Sequence, residues 1–212
     1  MYLPKAFAQH DRKVLFDLMR SFPLATLIVN AGSETSVEHV PLIVTEAEDR
    51  GLVLKGHVAK ANPVWKAEEP GSCVAVFHGP NAYISPGAYS TKKEHGRVVP
   101  TWNYVAVHAS GTIAYIHEDN WKLAFLEELT SAQEANQSDP WSISDAPEEF
   151  IDRMLSAIVG FEVLVESLEG KWKLSQNQPA ENHRGVIEAL SNGDNLYAQE
   201  VAKLMRSDAD DR

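Results

Sequence analysis

The sequence predicts a mainly β protein with helical additions, built as a small closed antiparallel barrel. Three observations carry this. Segments alternating apolar and polar residues recur along the chain, as strands with one buried face do. Turn and breaker residues, rather than helices, separate most of them, so hairpins outnumber the βαβ units that a parallel sheet requires. A closed antiparallel barrel also removes exposed strand edges.

In DRKVLFDLMRSF (11–22), Val14, Leu15, Leu18, Met19 and Phe22 share one helical face, and Pro23 stops the helix. LATLIVNA (24–31) and VEHVPLIVT (37–45) read as strands joined by a turn at Gly32, Ser33 and Glu34, and GLVLKGHV (51–58) reads as a third. Asn62 followed by Pro63 reads as an N-cap and first helical residue, opening a short helix over 63–69 that Pro70 and Gly71 close. SCVAVFHG (72–79) is another strand, and 80–98 hold a short extended piece and the charged loop KKEHGR. A long strand follows over 100–116. From Asp119 to about Asn136, Trp121, Ala124, Phe125 and Leu129 form a helical stripe. A second helix runs from Pro147 to about Ile158. GFEVLVESLEGKWKLSQN (160–177) reads as a long strand with a bulge or kink at Gly170. Two helices divided at Asn192–Gly193 and a solvated tail, SDADDR, complete the chain. The expected organisation is one barrel domain over 1–178 and a helical extension over 179–212 packed on it.

The chain has 212 residues, 44% hydrophobic and 23% charged, with a formal net charge of −11. A chain of this length hides roughly 70% of its unfolded surface. No run approaches the roughly 20 apolar residues of a membrane helix, and MYLPKAFAQHDRK lacks a signal core, so the expectation is a cytoplasmic protein away from membranes. The acidic balance argues against direct DNA binding, which depends on cations that neutralise phosphates. Cys73 is the one cysteine, which excludes an intrachain disulfide and a cysteine metal cluster. No GxGxxG, P-loop lysine, HExxH or GxSxG motif is present. His78, His95, His108 and His117 have no metal-ligand spacing, so no metal is expected. The pairs Glu68–Glu69, Glu127–Glu128 and Glu148–Glu149 read as solvated helix faces.

Three stretches ask for more. In GHVAKANP (56–63), His57, Lys60 and Asn62 precede a helix start, where backbone N–H groups attract anions; a plain capped turn accounts for them as well. In GKWKLSQN (170–177), Lys171, Lys173 and Ser175 share one strand face, suited either to phosphate or to solvent. In VPTWNYVAVHASG (99–111), Trp102, Tyr104 and His108 lie on one face and Thr101, Asn103, Val105 and Val107 on the other, which suits an aromatic core end or a planar ligand. Together they fit a ligand with an aromatic ring and a phosphate. Flavin mononucleotide (FMN) has both, whereas the glycine-rich turn of nicotinamide cofactors is missing.

MYLPKAF, EHVPLIV, GHVAKANP, FHGPNAYISP, VPTWNYVAVHASG, IVGFEV and LEGKWKLSQN, in this order, closely resemble the PaiB family of FMN-binding split-barrel proteins, described as negative transcriptional regulators. The resemblance runs from residue 1 to about residue 190. It implies a six-stranded antiparallel Greek-key split barrel and a homodimer with one FMN in each of two interface clefts. By motif, His39, Val40, Pro41 and Leu42 would lie near the flavin ring, and His57, Lys60 and Asn62 near the ribityl chain and phosphate. Trp102, Asn103, Tyr104, Lys171, Lys173, Ser175, Gln176 and Asn177 would complete the cleft, from the same or the partner subunit. Lys60 stands where an arginine is common, which keeps the charge and loses the bidentate geometry. The implied function is FMN-binding regulation without direct DNA readout. The alternatives are an FMN-dependent oxidoreductase or flavin reductase acting on a small molecule, and a dimeric interaction protein with an empty cleft. No general acid or base is assigned; Tyr104 and His108 are the candidates.

Overall fold

The structure, a computed structural model, describes residues 1–31, 34–47, 49–66 and 71–210. The turn residues Gly32 and Ser33, the helix end at Glu68, Glu69 and Pro70, and the last two residues of the tail lie outside these. In chain order the elements are β1 (Ala8–Gln9), α1 (Arg12–Ser21), β2 (Leu24–Ala31), β3 (Glu34–Pro41), β4 (Ile43–Ala47), β5 (Gly51–Ala59), β6 (Ser72–Ile84) and α2 (Lys92–His95). They continue with β7 (Thr101–Ile116), α3 (Asp119–Glu134), α4 (Glu148–Ser156), β8 (Ile158–Lys173), α5 (Ala180–Ser191) and α6 (Leu196–Asp210).

The fold is mainly β with helices, as expected. Its strands form one eight-stranded sheet in the order β3-β2-β6-β7-β8-β5-β4, with β1 paired to β8 off this path. The pairs β1–β8, β2–β3, β2–β6, β4–β5 and β5–β8 are antiparallel. The sheet is open among the described residues, and it has eight strands where the resemblance implies six.

Part of that difference comes from one residue. VEHVPLIVT, expected as a single strand, divides at Leu42 into β3 and β4. Pro41 has no N–H to donate to a ladder, and the Leu42 N–H makes the last bond in the β2–β3 register, to the Pro23 carbonyl at 2.9 Å. Val40 then pairs with Ala25 on β2, while Val44 pairs with Leu54 on β5. One stretch of chain thus supplies both outer strands of the sheet. The Leu42 side chain is buried at the corner.

The chain divides into two compact units. One contains Met1–Leu18, His78–Val107 and Glu169–Arg212; the other contains Met19–Phe77 and His108–Leu168. In the first unit, a Cβ added at Gly79 would lie 2.4 Å from Val105 and 2.7 Å from Leu18. One added at Gly170 would lie 2.1 Å from Leu15. Gly170 therefore marks close packing, and β8 runs through it to Lys173. The expected charged loop contains α2, held by Thr91, whose N–H and hydroxyl both donate to the buried Asn182 oxygen.

In the second unit, Leu27, Leu54, Phe77, Ile113, Phe161 and Val163 are fully or almost fully buried. Trp121 and Phe125 of α3 stack at 5.4 Å between ring centroids. Gly160 has no side chain because Trp121 occupies the space, 2.3 Å from where its Cβ would be. The α3 stripe differs from expectation at two positions: Ala124 is exposed and Lys122 is buried. Lys122 is satisfied there, since Nζ donates to the Leu155 carbonyl at 2.7 Å and pairs with Asp119 at 2.7 Å. Cys73 is buried, and burial, aided by Glu166, pushes its thiol up to about 12, so it stays protonated and unreactive.

Gly111 shows how tightly β7 and β8 approach in this unit. A Cβ there would lie 2.0 Å from the Leu164 backbone oxygen, which cannot rotate away as a side chain can. Gly111→Ala is expected to destabilise the protein by about 2–3 kcal/mol, read as a lower urea midpoint at unchanged slope.

Candidate functional site

The residues singled out in the sequence fall into two groups, one on each unit. On the first unit, the end of β8 carries Lys171 and Lys173. Lys171 is only 9% exposed. Its Nζ donates to the Tyr2 carbonyl at 3.0 Å and lies 5.8 Å from the Tyr2 ring centroid and 5.5 Å from that of Tyr104. Each ring face attracts a cation. The half-buried Lys173 donates to the Thr101 hydroxyl at 2.6 Å and to the Trp102 carbonyl. Burial, and then the charge of Lys171, lowers the Lys173 pKa below its usual 10.5.

The partners of these ammonium groups are neutral. Among the described residues neither lysine forms an ion pair, and the carboxylate of nearby Glu169 faces the Met1 ammonium at 2.6 Å. Two like charges drawn partly out of water oppose each other and each lose hydration. An anion placed between them would relieve both. A phosphate, carrying about −1.5 to −2 charges at neutral pH, has the charge and the acceptor oxygens to do so.

Behind the pair, Asn103, Ser175 and Gln176 form a supporting layer. The strand stops at Lys173, so the expected alternation does not reach Ser175, which has a left-handed backbone with φ 63°. The buried Ser175 hydroxyl donates to Asn103 Oδ1 at 3.1 Å. Asn103, also buried, donates in turn to the Met205 sulfur. Burial raises the Tyr89 pKa, and a hydrogen bond with Ser175 offsets part of that rise. The Gln176 carboxamide closes the turn: Oε1 accepts from the Leu174 N–H and Nε2 donates to the Trp172 carbonyl, both at 2.7 Å. Asn177 is exposed, and the Trp102 side chain is 54% exposed. Sequence reasoning missed Tyr2 and Thr101 as contacts of the lysines. Both lie inside motifs that carry the family resemblance, which was the signal available.

On the second unit, Val40 and Leu42 are buried, while His39 is exposed with Nδ1 3.2 Å from the Thr26 hydroxyl. Leu42 and Val44, with Leu129 and Gln133 of α3, line a groove of ≈ 440 Å³. His57 packs edge-on against Phe125 at 5.6 Å, and burial lowers its pKa below 6.5. Its Nδ1 is buried without a hydrogen-bond partner among the described residues. Lys60 is exposed; its N–H donates to the Ala157 carbonyl and its carbonyl accepts from Trp65 Nε1. The Asn62 side chain caps the short 3-10 turn Pro63–Lys66, accepting from the Val64 N–H at 3.0 Å. Among the described residues, no three His, Cys, Asp or Glu side chains gather closely enough to hold a metal ion. No described helix is long and apolar enough to cross a membrane.

Comparison with known proteins identifies the family and the fold. Residues 1–167 match the family described as "Putative FMN-binding domain". The chain is 32% identical over 209 residues to the Bacillus subtilis "Protease synthase and sporulation protein PAI 2", covering 97% of this chain and 96% of that protein. Two solved structures share the fold at low identity. The flavocytochrome Anf3 from Azotobacter vinelandii aligns with a TM-score of 0.56 at 13% identity, over 78% of this chain and 69% of that one. The FAD and heme binding protein from Mycobacterium smegmatis aligns with a TM-score of 0.56 at 15% identity, over 84% of this chain and 78% of that one.

Ser175 offers a test of the supporting layer. Ser175→Ala keeps the left-handed strain and leaves the buried Asn103 oxygen without its donor, a loss of about 1–3 kcal/mol. Ser175→Gly also loses the bond but relieves the strain, so its urea midpoint is expected to lie between those of Ser175→Ala and the unaltered chain.

Proposed function

We propose a function from one fact: the chain belongs to the FMN-binding domain family. FMN is its cofactor. In our reading the protein is a cytoplasmic homodimer of PaiB type that binds one FMN in each of two clefts at the subunit interface. The Lys171–Lys173 pair takes the phosphate, and this reading rests above all on the buried Lys171 and half-buried Lys173 ammonium groups, which have no acidic partner among the described residues. Trp102 and Tyr104 border the same cleft. The family resemblance also marks His39, Val40, Pro41, Leu42, His57, Lys60 and Asn62, on the second unit, as FMN positions. The meeting of β3 and β4 at Leu42 supports reading the open sheet as a split barrel.

Each residue has a physical task in this scheme. Lys171 and Lys173 neutralise the phosphate. The Tyr2 and Tyr104 rings hold Lys171 and keep water from one side of it. Thr101 and the Trp102 carbonyl orient Lys173, and Asn103, Ser175 and Gln176 hold the turn that ends the strand. When bound, the flavin supplies electron-transfer chemistry, while the chain supplies binding, orientation and charge.

The regulatory part of the reading draws on the Bacillus subtilis relative, whose name refers to protease synthase and sporulation. With a net charge of −11, regulation would run through a partner or a small molecule rather than through direct DNA contact. The pure protein is therefore expected to give no salt-sensitive, sequence-specific shift of promoter DNA.

The FMN reading is tested by flavin fluorescence titration. Lys171→Ala and Lys173→Ala are each expected to weaken FMN about tenfold or more, since a hydrogen bond to a charged group contributes about 1.5–3 kcal/mol. The pH dependence follows in sign. Lys173 loses its proton below the usual 10.5, and with it the charge that holds phosphate. Affinity should thus fall as pH rises toward 10.5, and the Lys173→Ala variant should lack this component. Absence of FMN binding by the unaltered protein would end the reading.

A further inference from the structure

The first unit has a second concavity, which shares Trp102 with the proposed flavin cleft. A groove of ≈ 470 Å³ is lined by Asn81 and Tyr83 of β6, Trp102 of β7, Leu190 of α5, Asn195 between the last two helices, and Tyr197 of α6. Tyr83, Trp102 and Tyr197 are 52%, 54% and 58% exposed. Large aromatic surfaces usually lose water in the fold, and three left open around one concavity mark a recognition surface rather than scattered exposure. The Tyr83 and Trp102 rings are already arranged against each other, 6.0 Å apart at 67°.

The lining also narrows what could bind. None of its side chains carries a charge at neutral pH. Its polar groups are hydroxyls and carboxamides. Asn195 Oδ1 already accepts from the Ala198 N–H at 3.1 Å. Asn195 is exposed, so its NH2 group faces water and can exchange that water for an acceptor on a ligand. The helical wall is braced as well. Gln199 Nε2 donates to the Gly193 carbonyl at 2.8 Å, and Arg206 donates to the Ser191 hydroxyl. This wall lies beyond residues 1–167, the part matched by the family domain. The opposite wall, with Asn81, Tyr83 and Trp102, lies inside that part.

We infer that this groove is a second ligand site, that it takes an uncharged planar ring compound bearing a carbonyl acceptor, and that α5 and α6 select among such compounds. The ring lies against Trp102, Tyr83 and Tyr197, and the carbonyl accepts from Asn195. Charged analogues are disfavoured because the lining offers them no counter-charge. The inference rests on the FMN reading for the role it gives the compound, that of a small-molecule partner for the flavin. Such a partner is what an oxidoreductase of this family would need.

The test uses two fluorinated probes of nearly the same shape, neutral 4-fluoroacetophenone and anionic 4-fluorobenzoate, followed by fluorine NMR on the FMN-saturated full chain. Saturable broadening of the ketone is expected, with the benzoate at least about tenfold weaker. Tyr197→Ala, at an exposed position, should weaken the ketone about fivefold or more through lost ring contact while FMN affinity stays within about twofold. Equal binding of the two probes, no effect of Tyr197→Ala, or no saturable binding would overturn the inference. So would competition by FMN, which would make the groove the seat of the flavin ring itself. An FMN titration on the same samples separates the two readings: failure to take up FMN overturns the flavin reading, while the probes still decide the groove.

Discussion

The candidate site depends on two ammonium groups that the fold partly withdraws from water without giving them a carboxylate among the described residues. Lys171 and Lys173 are held by carbonyls, a hydroxyl and aromatic rings, and the nearest acidic side chain in sequence faces the N-terminal ammonium instead. A cation stripped of part of its hydration and left unpaired is costly to the folded state. It persists where something else gains from it, and a bound anion is the simplest gain. The depressed pKa of Lys173 expresses the same tension, since burial and the neighbouring charge both favour loss of its proton.

Much of the local design around the pair serves to keep it in place. The turn after β8 would let the strand end swing if it were loosely closed. It is instead fastened by Gln176 to the backbone on both sides of Lys173 and by Ser175 to Asn103, at the expense of one left-handed residue. Strain at a non-glycine position survives where surrounding contacts over-determine it. Here those contacts involve fully buried Asn103 and Met205. Around the end of β8, the residues that the family resemblance marks thus divide physically into the lysine pair and the buried groups that hold the turn beside it.

Much of the fold was legible in the sequence because alternation and helical stripes report burial directly. β2, β5, β7, α1, α3 and the last two helices fall close to where these patterns put them. The departures have separate causes. The expected single strand divides at Leu42 because Pro41 lacks an N–H, and the chain beyond it pairs with β5 instead of β2. Lys122 is buried because Leu155, far along the chain, offers it a carbonyl. Ser175 turns left-handed although serine carries no marker for it as glycine would. The two-residue β1 is too short to show a period at all. For the site, the lysine pair and its aromatic neighbour Tyr104 could be read from motif and spacing. The part of Tyr2 was signalled only by its place in the MYLPKAF motif, because the contact depends on residue 2 reaching the end of β8.

The account stands or falls on whether the lysine pair recognises phosphate. Comparing FMN with riboflavin, which has the same ring and ribityl chain without the phosphate, isolates that term in a single pair of titrations. If each lysine contributes a charge-assisted hydrogen bond of about 1.5–3 kcal/mol, FMN should bind at least about a hundredfold more tightly than riboflavin at neutral pH and low salt. Equal affinities for the two flavins would contradict the account.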